Sequence, residues 1–297
     1  MKKKFLFLII MIFSLLLITG CNKKEEPATN GDTGGNNNTG DNGDSTPGDE
    51  LSAVEKYYFD IEKLTTSGLE FKAELHKLAE QSHTTRLDYT PGCWDALEKA
   101  DEDPNNKDNI ICIYSGASIL KSKHVGSAGK AGEWNREHLY PQSKGFKDKK
   151  MAAHNDIHLL RAAEYSTNSS RGDTPFGEGA GYYTPRAEVR GDIARALFYV
   201  IVRYDEDNYT SYTYNGKSYS DSDDLDLELS SGEIKPYNGA YYLENLETLI
   251  KWNYEDPVSE DEKRRNEVVF SIQGNRNPFV DHNEYLKKIY PELTANY

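Results

Sequence analysis

Arg136, Glu137 and His138 stand side by side, and Asn168 follows thirty residues after His138. Neighbouring residues on a strand face opposite ways. An adjacent Glu and His can therefore serve one site, one aimed at a metal ion and the other at a water, only at a strand end or a kink. Pro141 is consistent with such an end, because proline cannot donate to a ladder. Arg136 is then expected to face away from Glu137 and to be structural. His154 and His158 are four apart, a spacing that pairs zinc ligands on a helix. The residue after His154 is Asn155, however, where a zinc protease keeps its glutamate base. The segment also reads as a strand, on which such residues lie about 13 Å apart. A zinc site is therefore not expected, and His158 is expected to be a satisfied core histidine. Residues 121–171 hold ten basic side chains against five acidic ones. A local excess of this kind suits an anionic substrate, although ordinary solvated lysines give the same count.

The elements that must position these residues follow from periodicity. Residues 51–82 read as a helix with Leu69, Leu75 and Leu78 on its apolar stripe, and 94–99 as a short helix. Asn109–Tyr114 reads as a buried strand, and 133–139 and 155–161 as two more. A short helix over 162–170 stops at Gly172. Residues 188–204 form a strong helix with Ile193, Ala196, Leu197, Val200 and Ile201 on one face. The acidic stretch 205–233 reads as a long surface loop with a hairpin at Asn215-Gly216. Helices over 242–253 and 260–270 complete the chain. Helices and short strands mix without βαβ order, so the expected class is α+β: one mostly helical domain.

The chain has 297 residues, with 35 Lys+Arg against 49 Asp+Glu and a formal charge of −14, which excludes a uniformly basic nucleic-acid coat. Lys2, Lys3 and Lys4 precede an apolar run over residues 5–18, too short to span a bilayer and suited to a signal peptide. Ile18-Thr19-Gly20-Cys21 resembles a bacterial lipobox, which implies a signal peptide over 1–20, a lipid on Cys21, and a cell-envelope location on the outer face of the membrane, with proteolytic release left open. Residues 22–50 are almost wholly polar and cannot offset their ordering entropy, so 21–50 is expected to be a tether and 51–297 the working domain. Three cysteines exclude a disulfide scaffold, but an oxidising location permits one bond between Cys93 and Cys112.

In order along the chain, W-N-R-E-H-x-x-P-Q-S from Trp134, N-D-I-H-L-L-R from Asn155 and N-S-S-R-G-D from Asn168 closely resemble the bacterial endonuclease I family of secreted non-specific nucleases. W-D-A-L-E-K-A-D-E-D-P-N-N from Trp94, G-D-I-A-R-A-L-F-Y from Gly191 and Q-G-N-R-N-P-F from Gln273 resemble further motifs of that family. The resemblance implies an embedded ββα-metal finger, with Glu and His on its first strand and Asn on its helix. It implies Glu137 and Asn168 as ligands of one Mg²⁺, other divalent cations being admissible, and His138 as general base. Physically this is coherent: Mg²⁺ keeps several waters and takes few protein ligands, and a neutral imidazole takes a proton near neutral pH. A backbone carbonyl at His154 or its neighbours is expected to fix the tautomer. Arg171 matches the family's arginine and is expected either to neutralise a phosphate or to pair with an acid of the fold. Lys144, Lys147, Lys149 and Lys150 are expected to contact nucleic acid. The expected partner is DNA, with RNA left open, bound through phosphates and so without sequence specificity. A monomer that meets the membrane only through its lipid is expected, with 5′-phosphate products. The competing reading is a catalytically inactive nucleic-acid-binding or adhesive lipoprotein on the same fold.

Overall fold

The computed structural model describes residues 51–125, 129–144, 148–204, 210–214, 217–221 and 246–297. The leader, Cys21, the tether, Lys147 and most of the acidic loop lie outside the described residues. The expected first helix is two. Ser52 and Glu55 form a reciprocal capping box that starts α1 (Ala53–Tyr58). The Thr65-Thr66-Ser67 run that follows favours extended backbone, and Gly68 at φ +62° opens α2 (Gly68–Ser82). Helix α3 (Gly92–Ala100) leads into a small antiparallel sheet of β1 (Glu102–Asp103), β2 (Asn106–Ile111) and β3 (Ser118–Leu120).

Strand β4 (Trp134–His138) follows, then α4 (Ala152–Asn155), β5 (Leu160–Glu164) and α5 (Tyr165–Arg171). The strand expected over 155–161 therefore begins later, and the helix after it is displaced with it. Asp156 is the cause. Its carboxylate accepts the His158 N–H at 2.9 Å, and its carbonyl accepts the N–H groups of Leu159 and Leu160 at 3.0 Å, which makes a turn where alternation suggested a strand. Strands β4 and β5 pair antiparallel, with Glu137 opposite Arg161 and His138 opposite Leu160. With α5 following β5 directly, these three elements are the expected ββα finger.

Helix α6 (Arg190–Tyr204) is the centre of the main core. Ile193, Leu197, Phe198 and Val200 are all within 1 % of full burial. Its burial extends around the helix and is not confined to one apolar face, because α2 packs on it from one side and α7 (Leu246–Glu255) from another. Its buried Arg195 is held by Glu262 through a two-pronged ion pair. Strands β6 (Thr210–Tyr214) and β7 (Lys217–Asp221) pair antiparallel with Tyr214 opposite Lys217, the hairpin expected around Asn215-Gly216, whose two turn residues lie outside the described ones. Helices α8 (Glu260–Gln273), α9 (Pro278–Asp281) and α10 (Tyr285–Ile289) close the unit.

The C-terminal Q-G-N-R-N-P-F segment ties the finger to the main core. Asp156 accepts Gln273 Nε2 at 2.9 Å, Tyr199 at 2.6 Å and Tyr204 at 2.7 Å. Gln273 in turn accepts the Ile157 N–H at 2.7 Å. Gly274 ends α8 at φ +89°, and a Cβ there would meet the Ser82 carbonyl at 2.6 Å, so the close approach of the α2 and α8 ends requires glycine.

Cys93 and Cys112 are free thiols, so the permitted disulfide is not formed. Both are fully buried beside Trp134 and Leu97, and Cys93 Sγ donates to the Asn155 carbonyl at 3.5 Å. Burial pushes the Cys93 thiol up to about 12 and that of Cys112 up as well. A thiol reagent at mildly alkaline pH is therefore expected to modify neither in the native protein and both after denaturation. Rapid native modification, or a mass showing an intact disulfide, contradicts this.

Candidate active site

Glu137 and His138 are the last two residues of β4, at 3 % and 6 % exposure. The strand ends there: Leu139 hydrogen-bonds back to Leu159, the chain bends, and Pro141 follows. That end lets two adjacent side chains border one cavity of about 340 Å³, which Asn135, Arg136 and Asn168 also line.

Oε1 of Glu137 accepts the Tyr114 phenol at 2.5 Å and Arg171 Nη1 at 3.0 Å. Oε2 has no hydrogen bond among the described residues. Burial pushes the Glu137 carboxyl up to about 7, against the opposing pull of the Arg171 charge and the two hydrogen bonds. Burial also holds Tyr114 well above the usual phenol range, so it stays a donor.

Nε2 of His138 donates to the His154 carbonyl at 3.0 Å. A carbonyl can only accept, so Nε2 carries the proton and Nδ1 keeps its lone pair. The tautomer is thus fixed by the expected residue, which sits on α4 and not on a strand. Burial lowers the His138 pKa to about 3, which keeps the ring neutral; the negative charge of a phosphate entering the cavity acts the other way.

Asn168 projects from α5. Its Nδ2 donates to Asn135 Oδ1 at 2.8 Å, which leaves Oδ1 without a hydrogen bond among the described residues. Two hard oxygens, Glu137 Oε2 and Asn168 Oδ1, are thereby uncommitted among the described residues, on two side chains that line one cavity. That donor set fits Mg²⁺ with its remaining positions filled by water and phosphate. Among the described residues no three His, Cys, Asp or Glu side chains converge as a metal cluster.

Arg171 is 1 % exposed, and most of its donors are engaged within the fold. Nε donates to the Thr174 carbonyl, Nη1 to Glu137 and the His138 carbonyl, and Nη2 to the Leu139 carbonyl, all within 3.2 Å. These contacts are those of its other expected role, pairing with an acid of the fold: it holds Glu137 and the bend after β4, while it also lines the cavity. Lys144, Lys149 and Lys150 do not line the cavity. Lys149 and Lys150 are exposed, with Lys149 Nζ 5.1 Å from the centre of the Tyr89 ring, which lines the cavity. His158 is a core histidine, its Nε2 bonded to the Asn275 carbonyl at 3.2 Å, and it does not join His154 in a metal site.

Sequence reasoning missed Tyr114, Asn135, Tyr89 and Trp94. Asn135 had a signal, since it lies two residues from Glu137 on the same strand and so shares its face. Tyr114 had none, because its contact with Glu137 depends on how the sheet of β1–β3 meets the finger.

The family described as endonuclease I matches residues 67–184 and 180–284 of this chain. The extracellular ribonuclease of Bacillus amyloliquefaciens is 40 % identical over 252 residues, covering 80 % of this chain and 78 % of that protein. The extracellular ribonuclease of Bacillus subtilis strain 168 is 35 % identical over 262 residues, covering 83 % and 82 % respectively.

Proposed function

Because the chain belongs to the endonuclease I family and is a non-specific nuclease of that secreted kind, we propose that it is a Mg²⁺-dependent endonuclease acting on both RNA and DNA and leaving 5′-phosphate and 3′-hydroxyl ends. RNA enters the proposal through the two ribonucleases it resembles. The observation that carries the mechanism is the cavity bordered together by Glu137, His138 and Asn168. In this reading Glu137 Oε2 and Asn168 Oδ1 would hold the ion, which would supply polarisation of the phosphoryl group and stabilisation of the leaving 3′-oxygen. His138 Nδ1 takes a proton from the attacking water as its oxygen bonds to phosphorus, and the bond from phosphorus to the 3′-oxygen breaks. Solvent protonates the leaving oxygen and later removes the proton from His138. Tyr114 and Arg171 keep the Glu137 carboxylate in one orientation. The exposed lysines track phosphates outside the cavity. The lipobox at Cys21 supports anchoring of the monomer to the outer face of the membrane.

Digestion of plasmid, single-stranded DNA and RNA by the whole chain, with Mg²⁺ or with EDTA, tests the function. Cleavage of all three with Mg²⁺ and none with EDTA is expected. Absence of cleavage with any divalent cation overturns the proposal and leaves an inactive nucleic-acid-binding protein.

A further expectation concerns pH. With no ion bound, the Glu137 carboxyl holds its proton below about pH 7, and a cation must displace it. Lower pH therefore weakens metal binding. The apparent dissociation constant for Mn²⁺ or Mg²⁺ is expected to rise towards about tenfold per unit below neutrality and to level off above it. Calorimetric titration across that range reads this without substrate, and a constant affinity contradicts it. Asn168→Ala is expected to weaken binding by about tenfold or more, since even outer-shell losses reach that size.

A further inference from the structure

The proposed mechanism leaves one charge unattended: the scissile phosphate needs a cation beyond the metal, Arg171 is committed to Glu137 and to three carbonyls, and the described lysines stand outside the cavity. We propose that Arg136 is the phosphate-binding arginine of this enzyme, a catalytic residue presented to the substrate by an aromatic clamp. The inference rests on the nuclease reading and deepens it.

Arg136 lies between Asn135 and Glu137 on β4 and was expected to point away as a structural side chain, yet it lines the same cavity. Its guanidinium carbon sits 3.4 Å from the centre of the Tyr89 ring and 4.0 Å from that of Trp94. These cation–π contacts hold the planar group in place. Nη1 is anchored as well, donating to the Tyr89 carbonyl and to Thr90 Oγ1, the latter at 3.1 Å. Nε and Nη2 have no acceptor, and no carboxylate pairs with the group, among the described residues. A half-buried arginine left without a counter-ion, on the wall of a cavity whose other polar groups suit a metal and a phosphodiester, is matched to an incoming anion. The Nε–Nη2 edge carries two parallel N–H groups, the geometry that two non-bridging phosphate oxygens accept. Guanidinium is weakly hydrated, so stripping its water on binding is less costly than for an ammonium. The clamp also removes in advance the rotamer entropy that a free arginine loses on binding.

The alternatives within the cavity are few. Arg171 also lines it but is committed to Glu137 and to three carbonyls, and the described lysines stand outside.

The test compares wild type, Arg136→Met and Arg136→Lys in two assays, with thermal melting as the check on folding. The first titrates a short labelled single-stranded DNA in EDTA across a salt series, so it needs neither metal nor turnover. Arg136→Met is expected to reduce the slope of log affinity against log salt by about 0.7, the loss of one phosphate contact. Arg136→Lys is expected to keep the slope. The second measures cleavage with Mg²⁺, where Arg136→Met is expected to lose about 10²–10³-fold in kcat and Arg136→Lys to recover only part of that. A folded Arg136→Met protein with wild-type slope and wild-type kcat overturns the inference. If Arg136→Met does not fold, Arg136→Lys decides: lowered kcat at unchanged slope supports the assignment, and unchanged kcat overturns it. A wild-type protein inert with every divalent cation sinks the nuclease reading instead, and the salt slopes still decide whether Arg136 meets a phosphate.

Discussion

Replacing His138 by alanine is expected to lower kcat on RNA and DNA by about three orders of magnitude, the middle of the range that a positioned general base contributes. The expectation follows from how fully the fold commits this ring to one role. Its Nε2 proton is given to the His154 carbonyl, its burial keeps it neutral, and Nδ1 remains to accept a proton beside Glu137 and Asn168. Metal affinity should change little, because both proposed ligand oxygens stay. The alanine also leaves the buried His154 carbonyl without this donor, at a cost of about 1–3 kcal/mol. His138→Gln is the companion variant, since its amide can donate to that carbonyl and preserve stability without acting as a base. Single-turnover cleavage with Mg²⁺, alongside thermal melting and calorimetric metal binding, separates these effects. A folded His138→Ala protein that cleaves within tenfold of wild type removes His138 from the mechanism.

Arg171→Met is expected to destabilise the protein by about 3–5 kcal/mol, the usual result of removing one partner of a buried ion pair. For a unit of this size that lowers Tm by on the order of 10 °C. An exposed arginine pair is worth about 1 kcal/mol or less. The difference arises because methionine strands the Glu137 carboxylate and takes a donor from each of the Thr174, His138 and Leu139 carbonyls. The pH dependence has a definite sign. Without the arginine charge, burial raises the Glu137 pKa further above its unfolded value, so the folded variant binds a proton that the unfolded chain does not. The gap to wild type is therefore expected to narrow as pH falls from the variant's raised carboxyl value to about 7, and to stay level below it, where the wild-type carboxyl is protonated too. Denaturant titrations at two pH values measure both effects. A loss under 1 kcal/mol at neutral pH, or a gap that widens on acidification, contradicts the assignment of Arg171 as the holder of Glu137. Activity should fall too, but the stability loss identifies its role as positioning.

Much of the finger was readable because its parts are local. Strand β4, its end before Pro141, and the helix carrying Asn168 are each set within a few residues by alternation, a proline and the glycine after Arg171. The order R-E-H followed by N-x-x-R-G needs no tertiary information to be recognised, and it carried the functional reading. The pairing of β6 with β7 was legible for the same reason, since an Asn-Gly pair in the sequence is a strong local hairpin signal.

What was misread depends on partners far along the chain. Residues 155–161 read as a strand in the sequence. Asp156 instead starts a turn, and Tyr199, Tyr204 and Gln273 keep its carboxylate buried. Arg171 and Arg136 could not be told apart by type. One is enclosed by the carbonyls of the bend after β4, and the other is left without an acid between two rings from the segment before and within α3. The sequence by itself determined the family and the local elements on which Glu137, His138 and Asn168 sit. Only the tertiary structure decided which arginine holds the carboxylate and which one lines the cavity without an acid beside it among the described residues, because a cation's surroundings after folding come from distant parts of the chain.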